Sequence, residues 1–225
     1  MGTPQGGPLS PLLANVLLDE VDKVLERRGH SFVRYADDAN VYVRSRRAGK
    51  RVMALLRKLY GRLRLKVNDA KSAVASAFQR KFLGYSFWAA PGGKIKRRVA
   101  NKPMATFKQR VRRLTRRSGG CSLEEAVRKL RVYVLGWKAY FRLAQTPRVW
   151  QELDKWMRHR MRAIQLKHWK RAKTIYPELL ARKAPCDVAA QVAANARRWW
   201  RNSGMLLNSV LNLAWADRLG IPRLC

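Results

Sequence analysis

Two adjacent carboxylates, Asp37 and Asp38, are the residues best placed by type and spacing to do chemistry. They stand between two short apolar runs, residues 32–35 and 40–43, which predicts a β-hairpin with both acids at its tip. Carboxylates held that close repel, and each raises the other's pKa unless a cation lies between them. Mg²⁺ suits such a pair, because it takes one or two carboxylates and fills its shell with water and substrate phosphates. Two such ions can stabilise the attacking and leaving oxygens of an in-line phosphoryl displacement. A solvated Asp-Asp turn is the plainer reading of the same residues, and the pair by itself does not separate the two.

The second chemical feature is cationic. Arg110, Arg112, Arg113, Arg116 and Arg117 crowd one short stretch, and Arg158, Arg162, Lys167, Lys170 and Arg171 fall in another. The second stretch is interleaved with Trp156, Met157, Met161 and Trp169, whose helical spacing reads as core rather than as base-stacking platforms. A solvated helix face normally mixes both signs of charge, and acids are nearly absent here. Such a surface fits a phosphate backbone, with affinity falling steeply as salt rises.

The elements that must position these residues follow from periodicity. Ser10-Pro11 reads as an N-cap with proline at the first helical position. Leu13, Val16, Leu17, Val21, Val24 and Leu25 continue at helical spacing to Gly29. Residues 47–63 form a second helix, and strands are expected over 64–67, 73–78, 82–88 and 94–99. Beyond Asn101 the pattern is helical. A helix opens near Pro103, and a capping box at Ser122–Glu125 starts one that reaches about Leu143. Thr146-Pro147 starts another that runs to about Lys170, and the last helices are expected over 186–200 and 205–218. The fold class is therefore α+β, with an α/β segment over residues 1–100 and an all-α segment over 101–225.

Composition sets the outer bounds. The 225 residues carry 49 Lys+Arg against 14 Asp+Glu, a net charge of +35. Residues 1–43 hold four basic and six acidic residues, whereas 44–225 hold 45 basic and eight acidic ones. A small acidic-to-neutral segment thus precedes a strongly basic one, and a nucleic acid is the natural partner for that charge. At 47% hydrophobic residues the chain can build a core, so it is not a disordered basic tail. There is no long apolar run, so no membrane is expected as a partner. Cys121, Cys186 and Cys225 form neither a disulfide framework nor a metal-ligand pair, which suits a reducing compartment such as the cytoplasm. His30, His159 and His168 show no ligand spacing.

Five stretches in order then carry a resemblance. Tyr35-Ala36-Asp37-Asp38 resembles the catalytic hairpin of reverse transcriptases. GTPQGGPLSP at residues 2–11 is similar to the loop and helix start that line their nucleotide pocket. Leu65–Asn68 with Lys71-Ser72 resembles a later palm motif, and Phe82-Leu83-Gly84-Tyr85 resembles the primer-grip hairpin. YVLGWKAYF at residues 133–141, with the basic Trp-rich helix after it, is similar to the maturase domain of group II intron-encoded proteins. The resemblance implies a partial palm, an antiparallel sheet with packed helices, over 1–100. It implies a thumb and maturase domain over 101–225. It makes Asp37 and Asp38 the catalytic pair and the Mg²⁺ ligands. Gln5, Gly6 and Lys71 would bind the nucleotide, and Phe82 to Tyr85 would grip the primer. Lys138 and the arginines and lysines above would contact RNA, with group II intron RNA and an RNA or DNA template-primer as partners.

The same comparison sets an expectation about completeness. The early palm strand of these enzymes, with a third metal-binding aspartate, precedes the Gly-rich loop with which this sequence begins. Asp19 and Asp22 are read as exposed helix charges rather than substitutes for it. A C-terminal portion with an incomplete two-metal site is expected, completed by a separate fingers/palm fragment, by a second copy, or not at all. Two functions stay open: Mg-dependent RNA-directed DNA polymerisation, and an RNA-binding splicing cofactor without polymerase activity.

Overall fold

The computed structural model describes residues 9–225, which divide into two compact units, the first ending at Ile95 and the second starting at Lys96. Gln5 and Gly6, with most of the Gly-rich loop, lie outside the described residues.

The first unit opens with helix α1, Ser10–Arg27. The helix begins at Ser10 itself, so Ser10 is not its N-cap, and Pro11 sits in the first turn where its missing N–H costs nothing. Gly29 ends the helix at φ +68°. Its N–H donates to the Glu26 carbonyl (2.8 Å), and the His30 N–H donates to that of Leu25 (3.0 Å), a Schellman closure. Leu18, Val21 and Leu25 are the buried residues of α1, whereas Leu13, Val16 and Leu17 are exposed. Strands β1, Ser31–Tyr35, and β2, Asp38–Tyr42, pair antiparallel with Tyr35 opposite Asp38. Helix α2, Arg46–Arg62, follows, with the Ser45 hydroxyl accepting from the Ala48 N–H (3.2 Å). Its Gly49 is required by packing, since a Cβ there would lie 2.5 Å from a methyl of Val74.

Residues 64–67 and 73–76 are irregular rather than strands, and Ala77–Gln79 form a short 3-10 turn. Arg64 lies at φ +55°, which extended backbone does not allow. The expected strand 82–88 is a tight hairpin, with β3, Lys81–Phe82, pairing with β4, Tyr85–Ala89. Leu83 and Gly84 make the turn at φ +49° and +78°, the signs of a type I′ loop. The chain reverses again over Pro91–Lys94, where the Ala90 N–H donates to the Lys94 carbonyl (2.9 Å), and β5, Ile95–Val99, follows. The core of this unit is Val21, Leu25 and Leu59, flanked by Phe32, Val41, Leu55 and Tyr60.

The second unit is helical: α3, Asn101–Leu114; α4, Leu123–Tyr140; and α5, Pro147–Trp169. Ser122 caps α4 as expected, its hydroxyl accepting from the Glu125 N–H (3.1 Å), while Glu125 itself pairs with Lys129 (2.6 Å). Shorter helices complete it: α6, Ala172–Leu180; α7, Cys186–Ala194; α8, Trp199–Gly204; α9, Leu207–Val210; and α10, Leu213–Arg218. The sequence pattern hides α6 behind Pro177, but burial of Ile175 and Leu179 one turn apart holds the helix across the proline. Phe107, Trp137 and Trp150 join α3, α4 and α5, with ring centroids 4.2 Å apart for the first pair and 5.4 Å for the second. A continuous core runs from Phe107 to Leu224. No described helix is long and apolar enough to cross a membrane.

Candidate functional site

The β1–β2 hairpin presents the acid pair. Its register leaves Ala36 and Asp37 as a two-residue loop, so Asp37 sits in the turn and Asp38 is the first residue of β2. Ala36 takes φ +52°, the left-handed region that a two-residue hairpin loop demands and that a Cβ resists. Both aspartates are exposed, and neither side chain makes a hydrogen bond or ion pair with another described residue. In a chain of net charge +35, two adjacent carboxylates without a cationic partner are a hard-oxygen donor set left open. The donor chemistry therefore fits Mg²⁺. Among the described residues no third His, Cys, Asp or Glu joins them, so further ligands would be water or phosphate oxygens.

The two helix aspartates differ from each other. Asp19 is exposed and pairs with Lys23 across one turn (2.6 Å). Asp22, expected to be an exposed charge, is only 18% exposed and pairs with Arg34 of β1 (2.6 Å), itself 13% exposed. Burying a guanidinium and a carboxylate together is tolerable when each satisfies the other. Lys71 is exposed in the loop after α2, its N–H donating to the Asn68 carbonyl (3.1 Å) and its carbonyl accepting from Arg80 (2.7 Å). No hydrogen bond or ion pair ties Lys71 to Asp37 or Asp38 among the described residues. Phe82 to Tyr85 form the β3–β4 turn, with Leu83 at its tip.

In the helical unit, Arg110, Arg112, Arg113 and Arg116 are exposed on or just after α3. Lys167, Lys170 and Arg171 are exposed around the end of α5, where Lys170 takes φ +60°. Two further cations are engaged within the unit, and a third is partly covered. Arg117 lies over the Trp199 ring (4.6 Å), and burial pulls its guanidinium pKa down. Lys138 donates to the Arg223 carbonyl (3.2 Å). Arg158 is half-buried.

Arg162 corrects the sequence reading. It is 3% exposed. Its Nε donates to the Ser203 carbonyl (2.6 Å) and its Nη1 to that of Leu211 (3.3 Å), joining α5 to α8 and to the end of α9. Burial without a carboxylate brings its guanidinium down to about 10. It holds helix ends together from a position buried away from solvent.

A groove that the sequence did not single out runs between α3 and α5. Lys108 and Arg112 line one side, Arg148 and Glu152 the other, with Trp156 and Leu153 in its floor. The guanidinium carbons of Arg112 and Arg160 lie 5.7 Å and 5.5 Å from the Trp156 ring centre. Arg160 also closes α3, donating to the Thr115 hydroxyl (2.5 Å) and to the carbonyls of Arg112 and Thr115 (3.2 Å and 3.1 Å). Cations around a partly open indole match the mixture that single-stranded nucleic acid meets on its binding proteins. The signal in the sequence was Arg148 and Lys108 at helical spacing from Arg112 and Trp156. Reading Trp156 as plain core hid it.

Comparison with known families gives two matches. Residues 1–87 match the reverse transcriptase (RNA-dependent DNA polymerase) family, and residues 104–182 match the group II intron, maturase-specific domain. No curated protein matches the chain.

Proposed function

We propose, from the premise that this chain belongs to the group II intron-encoded reverse transcriptase/maturases, that Asp37 and Asp38 hold Mg²⁺ for nucleotidyl transfer while the helical unit binds intron RNA and template-primer. The observation that carries the reading is the exposed acid pair at the β1–β2 tip, without a cationic partner among the described residues of a strongly basic protein. The reaction is attack of a primer 3′-hydroxyl on the α-phosphate of a nucleoside triphosphate, extending the strand by one residue and releasing pyrophosphate. When bound, Mg²⁺ supplies charge neutralisation at the attacking and leaving oxygens.

The chain's own side chains have separable tasks. Asp37 and Asp38 present oxygen ligands from a turn fixed by its strand register. Arg110, Arg112, Arg113 and Arg116 offer charge to the phosphate backbone of a duplex or folded RNA. Shape and backbone contacts dominate there, because the A-form major groove is closed to side chains.

A second reading, RNA binding without polymerisation, is favoured by one observation: among the described residues the acid pair has no third carboxylate beside it. Primer extension on an RNA template with Mg²⁺ separates the two. Extension by the wild type that disappears in Asp37→Asn is the result expected of the polymerase reading. Salt-sensitive RNA binding, with no extension by either protein, selects the binding reading.

A further inference from the structure

Both tight hairpins of the first unit turn on a non-glycine residue at positive φ, Ala36 in one and Leu83 in the other. A non-glycine residue stays in that region only when its surroundings hold it there. For the acid-bearing hairpin, the holding contact is Arg34.

Alternation along β1 puts Phe32 and Arg34 on its half-buried side and Ser31, Val33 and Tyr35 on its exposed side. Arg34 therefore occupies an inward position that an apolar residue would normally take. Its guanidinium is committed in three directions. The Nε and Nη2 groups fork onto the Asp22 carboxylate at 2.9 Å and 2.6 Å. The Nη1 group donates to the Asn15 side-chain oxygen at 2.9 Å and to the Ala36 carbonyl at 3.2 Å. Asn15 and Asp22 are seven residues apart on α1, so they lie on one face of that helix, two turns apart. The Ala36 carbonyl belongs to the peptide that joins Ala36 to Asp37.

We propose that Arg34 is a positioning residue: it clamps the strained Ala36–Asp37 turn to Asn15 and Asp22 of α1, and so fixes the direction in which Asp37 and Asp38 present their carboxylates. The proposal rests on the reading of those aspartates as metal ligands, and it assigns their orientation to α1 rather than to the hairpin alone. The fork is essential to it. A planar guanidinium reaches a carboxylate, an amide oxygen and a peptide carbonyl at once, whereas an ammonium is a single point charge. Lysine at position 34 would keep the charge and lose the geometry.

The test uses the full chain as wild type, Arg34→Ala, Arg34→Lys and Asp22→Asn, with two readouts. The first is hydrogen exchange followed by mass spectrometry. Exchange over residues 33–40 is expected to quicken about tenfold or more in Arg34→Ala, the scale of losing hydrogen bonds to a charged group. Arg34→Lys should remain close to Arg34→Ala and Asp22→Asn should be intermediate, while α2 keeps its wild-type rate. The second is Mn²⁺ titration by electron paramagnetic resonance, with Asp37→Asn as the control for the site. Binding is expected to be lost in Asp37→Asn and about tenfold weaker in Arg34→Ala.

Unchanged exchange at 33–40, equal acceleration in α2, or full rescue by lysine would overturn the clamp. Mn²⁺ binding that is the same in wild type and Asp37→Asn would instead overturn the metal-ligand reading, with the clamp still decided by exchange. If Arg34→Ala does not fold, Asn15→Ala removes one acceptor only, and exchange at 33–40 decides in the same way.

Discussion

The two units solve the problem of holding functional residues by opposite means. The helical unit fixes its cations on helices packed around a continuous core from Phe107 to Leu224. The unit with the acid pair has a small core cluster of Val21, Leu25 and Leu59, with Leu18 and Val52 also buried, while Leu12, Leu13, Val16 and Leu17 of α1 are exposed. Where packing is thin, directed polar contacts take over, and Arg34 with its three partners is the main instance. The difference shows why position matters more for one chemistry than the other. A phosphate backbone tolerates cations displaced by an ångström, because most of its attraction is unspecific charge. Metal ligands do not, because coordination distances are narrow.

The largest effect that can break this comparison is a matched pair of core truncations. Leu25 (1% exposed) and Leu130 (0%) are equivalent leucines, one in each core. Leu→Ala at such sites costs about 2–5 kcal/mol. That is expected to exceed what so small a core can spare, so Leu25→Ala should unfold residues 10–62, seen as loss of slow hydrogen exchange in α1 and α2. Leu130→Ala should lower the urea midpoint of the helical unit and leave it folded at zero denaturant. Retained protection of α1 in Leu25→Ala would show that the first unit draws stability from something other than its own core.

The same contrast explains what could be read from sequence. The hairpin was legible because alternation and the Asp-Asp pair are both local signals, and the Ser122 cap for the same reason. Residues 64–67 and 73–78 read as strands on composition. Arg64 at positive φ and the packing of Val74 onto Gly49 are tertiary facts that composition cannot carry. The clamp was missed because Asp22 and Arg34 look like two ordinary charges until β1 is folded against α1. Arg162 shows the converse error. One cation in a run of cations looks like its neighbours, and only the three-dimensional position of the Ser203 and Leu211 carbonyls marks it as internal.

That distinction yields a middle-sized effect. If exposed cations of the helical unit meet phosphates, removing one lowers the slope of log affinity against log salt by about one. Arg112→Ala and Arg148→Ala should each do so when RNA binding is measured across a salt series. Arg162→Met should leave the slope unchanged and act on thermal stability alone, since its guanidinium touches two backbone carbonyls inside the fold. A reduced slope in Arg162→Met would mean that the second unit opens on binding RNA, and would erase the line drawn between its internal and external charges.

The smallest effect concerns how the well-packed unit responds to acid. His159 stacks on Trp200 with ring centres 3.7 Å apart, and its Nε2 lies 2.8 Å from the Trp200 carbonyl oxygen, to which it donates. A Cβ on Gly204 would come within 2.9 Å of the ring, so the imidazole has backbone against it. Burial lowers its pKa first, partly opposed by the hydrogen bond to Trp200, and the nearby positive charges of Arg162 and Arg160 lower it further. A histidine depressed in this way is neutral in both states above its ordinary value of about 6.5, and contributes no pH dependence there. As pH falls through that value the unfolded chain takes up a proton that the folded chain refuses. Stability is therefore lost going down in pH, and the loss levels off only below the folded pKa. His159→Gln keeps a donor for the Trp200 carbonyl and has nothing to titrate. The melting temperature of the helical unit should thus fall between pH 7 and pH 5 more steeply in the wild type than in His159→Gln, and the difference between the two curves isolates this one ring. Parallel curves would mean that the imidazole accepts its proton by moving off Gly204 without cost, and the second unit would then be locally yielding around His159 despite its continuous core.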